Sequence, residues 1–173
     1  MNDSDGVLVV FTAKSVEQLL EHGGTRSWVL NPKSMASVTY VVCTRNSDRQ
    51  HDAECGIRPE AHNSAFIVGR VSGLEKVDHR HDRDRYLVKF SEYALVNVAS
   101  FRDGSTRNPV TYSNVGQCRL NGIDLAKLKF EAMPSNGMSS DKVRRGMSMA
   151  EAKPELAAFY GVKSEDIQIT IIG

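Results

Sequence analysis

The stretch from Ser64 to Asn97 constrains the fold more than any other part of the chain. Ala65–Val71 is apolar and β-branched, and Gly73 is expected to end it. Tyr86–Phe90 repeats the pattern, and Tyr93–Val98 follows after a short polar step. Apolar runs of this length, bounded by Gly and charged residues, are the signature of strands. Between them, Asp78–Arg85 contains no apolar residue, so it reads as a solvated loop joining paired strands. The starting expectation is therefore a barrel-like sheet that carries its function on loops.

The rest of the chain supplies partners for these strands. Gly6–Thr12 does not alternate and reads as a strand buried on both faces. Ser15 and Gln18 have capping-box spacing for a helix from Val16 to His22, which Gly23-Gly24 stops. Ser27–Leu30 reads as a short strand running into Asn31-Pro32, with a helical turn over Lys33–Ala36. Val38–Cys43 is another strand, and residues 47–63 form a long polar surface loop. Asn108-Pro109 marks a turn followed by an extended segment to Tyr112. Ile123–Leu128 reads as a short helix and Lys129–Met133 as a closing strand. A run rich in Pro, Gly and Ser from Pro134 begins a linker over 134–147. Residues 148–173 then read as a small tail, with a helix opening at Ser148-Met149-Ala150-Glu151 and a strand over Ile167–Ile171. One helix and one strand bury no core alone. The tail must dock on the main domain, on another copy or on a protein partner.

The chain has 173 residues, enough for one real core and a small appendage. No apolar run approaches the ~20 residues that a membrane span needs, and the polar, acidic N-terminus is not that of a signal peptide. The three cysteines, Cys43, Cys55 and Cys118, are odd in number and lack CxxC spacing. This points away from a disulfide framework and toward a reducing cytoplasm. A net charge of +1 does not declare a nucleic-acid binder, but a local basic patch suffices for one.

The order of elements carries a resemblance. Trp28–Pro32, Val38–Arg45, Phe66–Gly73, Tyr86–Val98 and Asn108–Tyr112 follow one another as in the EVE-like members of the PUA-like superfamily, relatives of YTH and ASCH domains. The matching region covers roughly residues 25–133, within a domain spanning residues 1–133. The resemblance implies an α+β, mainly β fold: a small PUA-like barrel with short flanking helices. It also implies a pocket for a single nucleobase, plain or modified, extruded from DNA or RNA, and an association with restriction or defence systems.

Such a pocket needs a flat apolar wall and a few groups that read a base edge. Trp28, the single tryptophan, is a candidate wall, or else a core residue with its indole N–H satisfied. Asn31 is a candidate edge reader, or a turn residue bonding its own backbone. Glu92 and Tyr93 interrupt the apolar strands, as a bulge facing a pocket or as a plain bend. Arg107 and Asn108 offer a guanidinium and an amide. Lys33 and Arg45, with Arg26 and Arg70, are candidates for a positive rim on phosphates.

His51, Cys55, His62, His79 and His81 lack zinc spacing, so no metal is expected, and no cofactor. No nucleophile motif or Gly-rich phosphate loop is present. The leading expectation is a non-catalytic reader of nucleic acid. The alternatives are a small hydrolase of a modified nucleobase or nucleoside, and a protein-interaction module using residues 148–173.

Overall fold

The first strand organises the sheet because both of its faces are apolar. The computed structural model describes residues 2–47, 60–104 and 107–134, with Lys153, Lys163, Ser164, Ile167 and Gln168 beyond them. The chain divides into two units, Met1–Pro134 and Ser135–Gly173. Nearly all of the linker and tail read from the sequence lies outside the described residues; Ile167 and Gln168 are not in a strand. In the first unit, β1 (Gly6–Thr12) lies parallel to β3 (Val38–Arg45) and antiparallel to β6 (Val110–Asn114). Leu8 and Val10 point into one core, and Val7 and Val9 into a second. The non-alternating pattern of β1 thus reports cover on both faces.

Two long strands dominate. β4 (Ala65–Arg80) and β5 (Arg83–Val98) form one antiparallel hairpin of 16 residues on each side. The full order is β2-β5-β4-β3-β1-β6, where β2 is Gly24–Trp28, and β7 (Glu131–Ala132) pairs with the far half of β5. β5 serves two different edge partners because it is bulged at Ser91: Arg70 faces Glu92, and Val71 already faces Phe90. The two runs read as separate strands, Tyr86–Phe90 and Tyr93–Val98, are therefore one bent strand. Gly69 lies under the bend, where a Cβ would meet the Phe90 ring at 2.6 Å.

The expected charged loop is a correction. Asp78–Arg85 is not a loop: the strands continue through Gly73 to a two-residue turn at His81-Asp82. Both turn residues have positive φ, 52° and 56°, the requirement of a tight hairpin turn whose twist matches its strands. Polar contacts run across and along the ribbon: the ion pairs Lys76 Nζ–Asp84 Oδ1 at 2.7 Å and Arg80 Nε–Asp78 Oδ2 at 2.5 Å, and a His79 Nδ1–Asp84 Oδ1 hydrogen bond at 2.7 Å.

Three short helices cover the sheet. α1 (Val16–Glu21) carries the full Ser15/Gln18 capping box, and α2 (Pro32–Met35) is capped by Asn31. With Leu19, Leu30 and Met35 they close the first core over Val41, Cys43, Phe66 and Val88. α3 (Val115–Leu120), absent from the sequence reading, is capped by Asn114 and closes the second core with Val115 and Cys118. The helix expected at Ile123–Leu128 is instead a single turn at 125–127 within irregular chain. Asp124 Oδ1 accepts the Ala126 N–H at 3.2 Å, drawing the backbone away from a helix, while Ile123 and Leu125 stay buried. No described helix is long and apolar enough to cross a membrane.

The expected closed barrel is also corrected. Among the described residues no ladder joins β2 to β6, and the mixed sheet stays open. Two local features block closure. β2 ends in a bulge at Ser27, and β6 is entered through Pro109, whose nitrogen has no hydrogen to donate. The sheet nonetheless curls until its two end strands border one groove.

Candidate nucleic acid interface

The bulge that ends β2 shapes the most distinctive surface of the molecule. Arg26 faces Leu87 and Trp28 faces Tyr86, so Ser27 is an extra residue on β2. Its φ is +75°, a left-handed conformation that a non-glycine residue holds only under tertiary constraint. The constraint is visible: Arg85 Nη1 donates to the Ser27 carbonyl at 2.9 Å. Beyond the bulge, Trp28 is half-buried on the rim of the first core. Its indole N–H donates to Thr25 Oγ1 at 2.9 Å, which fixes the ring's edge and leaves its apolar body as wall.

Two adjoining depressions of about 460 and 410 Å³ meet at Ser27, Trp28, Arg85 and Pro109, and form one groove. The end of β1 and its exit (Phe11–Lys14) border it on one side, and Asn108–Val110 at the start of β6 on another. Four cations line it, Lys14, Arg26, Arg83 and Arg85, and no carboxylate does. Among the described residues, none of these four pairs with a carboxylate. Arg85 Nε is enclosed and meets no acceptor among the described residues. A concave site with charges of one sign concentrates positive potential. The Asn46 and Asn108 side chains lie in the same lining, and the Asn46 amide offers both donors and acceptors.

The eight residues singled out from the sequence divide around this groove. Trp28 and Asn108 line it together. Asn108 Oδ1 also accepts the Val110 N–H at 3.1 Å. Asn31 is elsewhere: its side chain accepts the Lys33 N–H at 3.0 Å as the cap of α2. Lys33 and Arg107 are exposed and outside the lining. Arg45 is not on a rim. It is fully buried, with Nη1 on the Lys14 carbonyl and Nη2 on Glu60 Oε2, both at 2.9 Å, and its guanidinium 4.1 Å from the centre of the Phe66 ring.

Glu92 and Tyr93 sit at the Ser91 bulge, but not in the groove. Glu92 takes Arg70 Nε at 2.6 Å, and the Arg70 guanidinium sits over both the Tyr40 and Phe130 rings, which pack on each other. Tyr93 Oη donates to Glu131 Oε2 at 3.0 Å, and that hydrogen bond, helped by desolvation, raises its pKa. Both side chains tie β5 to its neighbours.

Sequence reading missed Lys14, Arg83 and Arg85. The signal was present for the last two. Residues two apart on a strand share a face, but Asp78–Arg85 had been assigned to a loop, where that spacing carries no meaning. Lys14 offered no signal, because only the curl of the sheet brings it opposite Trp28.

Elsewhere the chemistry is quiet. Burial pushes the Cys43 thiol up to about 12 and the Cys118 thiol to about 11, so neither is a nucleophile near neutral pH. No cluster of three metal-ligating side chains exists among the described residues; His51 and Cys55 lie outside them. A further depression of about 410 Å³, bordered by Phe101 and Tyr112, mixes Arg102 with Asp103 and has no excess of charge. What the groove can do is bind: it presents cations, amides and one aromatic wall, and no general base among the residues that line it. No family model, curated protein or solved structure matches this chain.

Proposed function

We propose that the chain is a nucleic-acid-binding module that holds a single nucleotide in the Trp28 groove, with the base against the indole and phosphates on the surrounding cations. The observation that carries this reading is the lining itself: four cations, the Gln18, Asn46 and Asn108 amides, and Trp28 with Phe11, with no carboxylate. A volume of about 400 Å³ lies within the ~300–1,000 Å³ of ordinary ligand sites. Stacking supplies affinity for any base, because every base has a π-face, and Asn46 supplies edge contacts that discriminate among them. The strained Ser27 supports the same reading, since strain of about 1–3 kcal/mol persists where it sets a functional geometry. The likeness to PUA-like, EVE-like readers of modified bases rests on the order of sequence stretches. The end strands of the sheet facing each other across the groove are compatible with it. A hydrolase would need a base that the described lining does not contain.

The test uses the single tryptophan as its own reporter. Short single-stranded oligonucleotides, plain and base-modified, are titrated into the protein at two salt concentrations. Stacking quenches Trp28 emission, and the apparent affinity falls as salt rises. Trp28→Ala, followed by anisotropy of a labelled oligonucleotide, loses roughly 5- to 150-fold, the worth of one stacked base. Unchanged emission, or equal binding by Trp28→Ala, overturns the proposal. A change in oligonucleotide mass would replace it with the hydrolase.

A further inference from the structure

The tip of the β4–β5 hairpin extends the groove. The last residue of β2 pairs with Tyr86, so residues 78–85 form a two-stranded ribbon that no third strand joins among the described residues. Three cross-strand pairs remain, Asp78 with Arg85, His79 with Asp84 and Arg80 with Arg83, and they project by about 10 Å at ~3.3 Å per residue.

The two faces of this ribbon carry different charge. Asp84 is held between Lys76 and His79, so that face neutralises itself. Asp78, Arg80, Arg83 and Arg85 share the other face, three cations against one carboxylate. Arg80 and Arg83 stand directly opposite each other, a like-charge pair that costs stability; Asp78 meets Arg80 at 2.5 Å, and no described carboxylate meets Arg83. Arg83 and Arg85 also line the groove, so the charged face runs into it without a break.

We infer that this ribbon enters the major groove of a B-form DNA duplex beside the nucleotide held at Trp28, with Arg80 and Arg83 on backbone phosphates. The inference rests on the reading of the groove given above. Three features select the duplex. A two-stranded ribbon fits a major groove about 12 Å wide and about 8.5 Å deep, and the projection matches that depth. Tracking a single strand requires aromatic platforms, and residues 76–85 contain no Phe, Tyr or Trp. The deep, narrow major groove of duplex RNA does not admit side chains in this way.

Three labelled probes of one sequence test this with the full chain: a DNA hairpin with one unpaired nucleotide bulged from its stem, the corresponding single strand, and the same hairpin in RNA. Arg80 is exposed and outside the groove lining, so Arg80→Ser perturbs the ribbon alone. The expected result is tighter binding to the DNA hairpin than to the other two. Arg80→Ser should weaken only the DNA hairpin, with a salt slope shallower by about one released counterion. A wild-type preference for the single strand or the RNA hairpin overturns the ribbon and leaves the groove standing. So does an equal effect, or none, of Arg80→Ser on all probes that bind. Failure of the wild type to bind any probe overturns the groove and the ribbon together.

Discussion

Glu60→Gln is predicted to destabilise the protein through a residue it leaves untouched. Arg45 is fully buried at the end of β3, and Glu60 is the carboxylate it meets, at 2.9 Å. Among the described residues its other guanidinium contacts do not balance its charge: one carbonyl, one ring face, and an Nε with no partner. Gln preserves the shape and an acceptor but removes the countercharge. Breaking a buried ion pair from one side costs about 3–5 kcal/mol. The Glu60 side chain is 20% exposed, so solvent screens part of the pair and the expected loss is at the lower end, about 3 kcal/mol. With a urea m-value near 2 kcal/mol/M, the midpoint falls by about 1.5 M. Arg45→Met provides the control. It deletes the buried cation, and in that background Glu60→Gln should cost under about 1 kcal/mol, because no stranded charge remains. A loss below about 0.5 kcal/mol for Glu60→Gln alone, or equal losses in both backgrounds, would refute the argument that burial makes this pair matter.

Two other predictions concern titration and reactivity. Hydrogen bonds from Lys76 and then His79 hold the Asp84 carboxyl below its ordinary 3.8, and the same contact raises Lys76 above 10.5. A lowered acid contributes above its unfolded pKa and loses that contribution as pH falls through the folded value. A raised base contributes below its unfolded pKa and loses it as pH rises through the folded value. The carboxyl resonance of Asp84 should therefore titrate below 3.8, and Lys76→Met should return it toward that value; an unchanged midpoint would remove the ionic account of the ribbon. In a Cys55→Ser background, native protein at pH 8 should leave Cys43 and Cys118 unreacted toward a thiol reagent until denaturant is added. Prompt labelling of either would contradict their burial.

Local chemistry, where it acted alone, was legible in the residues. The Ser15/Gln18 capping box closed as its spacing demands. The strands Gly6–Thr12 and Val38–Arg45 formed where apolar residues persist without alternation. Asn114, with Gln117 three residues on, carried the signal for α3, where the side chain accepts the Gln117 N–H at 2.8 Å; that spacing was there to be read. The charged ribbon defeated pattern reading for a physical reason. A strand without apolar residues has no periodicity to detect, and its polar contacts reach across to the opposite strand.

The candidate site lay further from view. Arg45 and Arg85 are both arginines at strand ends, and nothing local distinguishes a buried structural cation from one lining a groove. Glu92 and Tyr93 interrupt a strand in the way functional residues do, yet their partners, Arg70 and Glu131, occupy them. By itself the sequence determined which apolar segments extend, where two helices begin, and that a single tryptophan precedes a turn. Only the tertiary structure decided which charges stand free, because pairing and burial depend on residues distant along the chain. It placed Lys14, Arg26, Arg83 and Arg85 around Trp28 by curling an open sheet, and that curl is a collective result of two packed cores, not a property of any one segment.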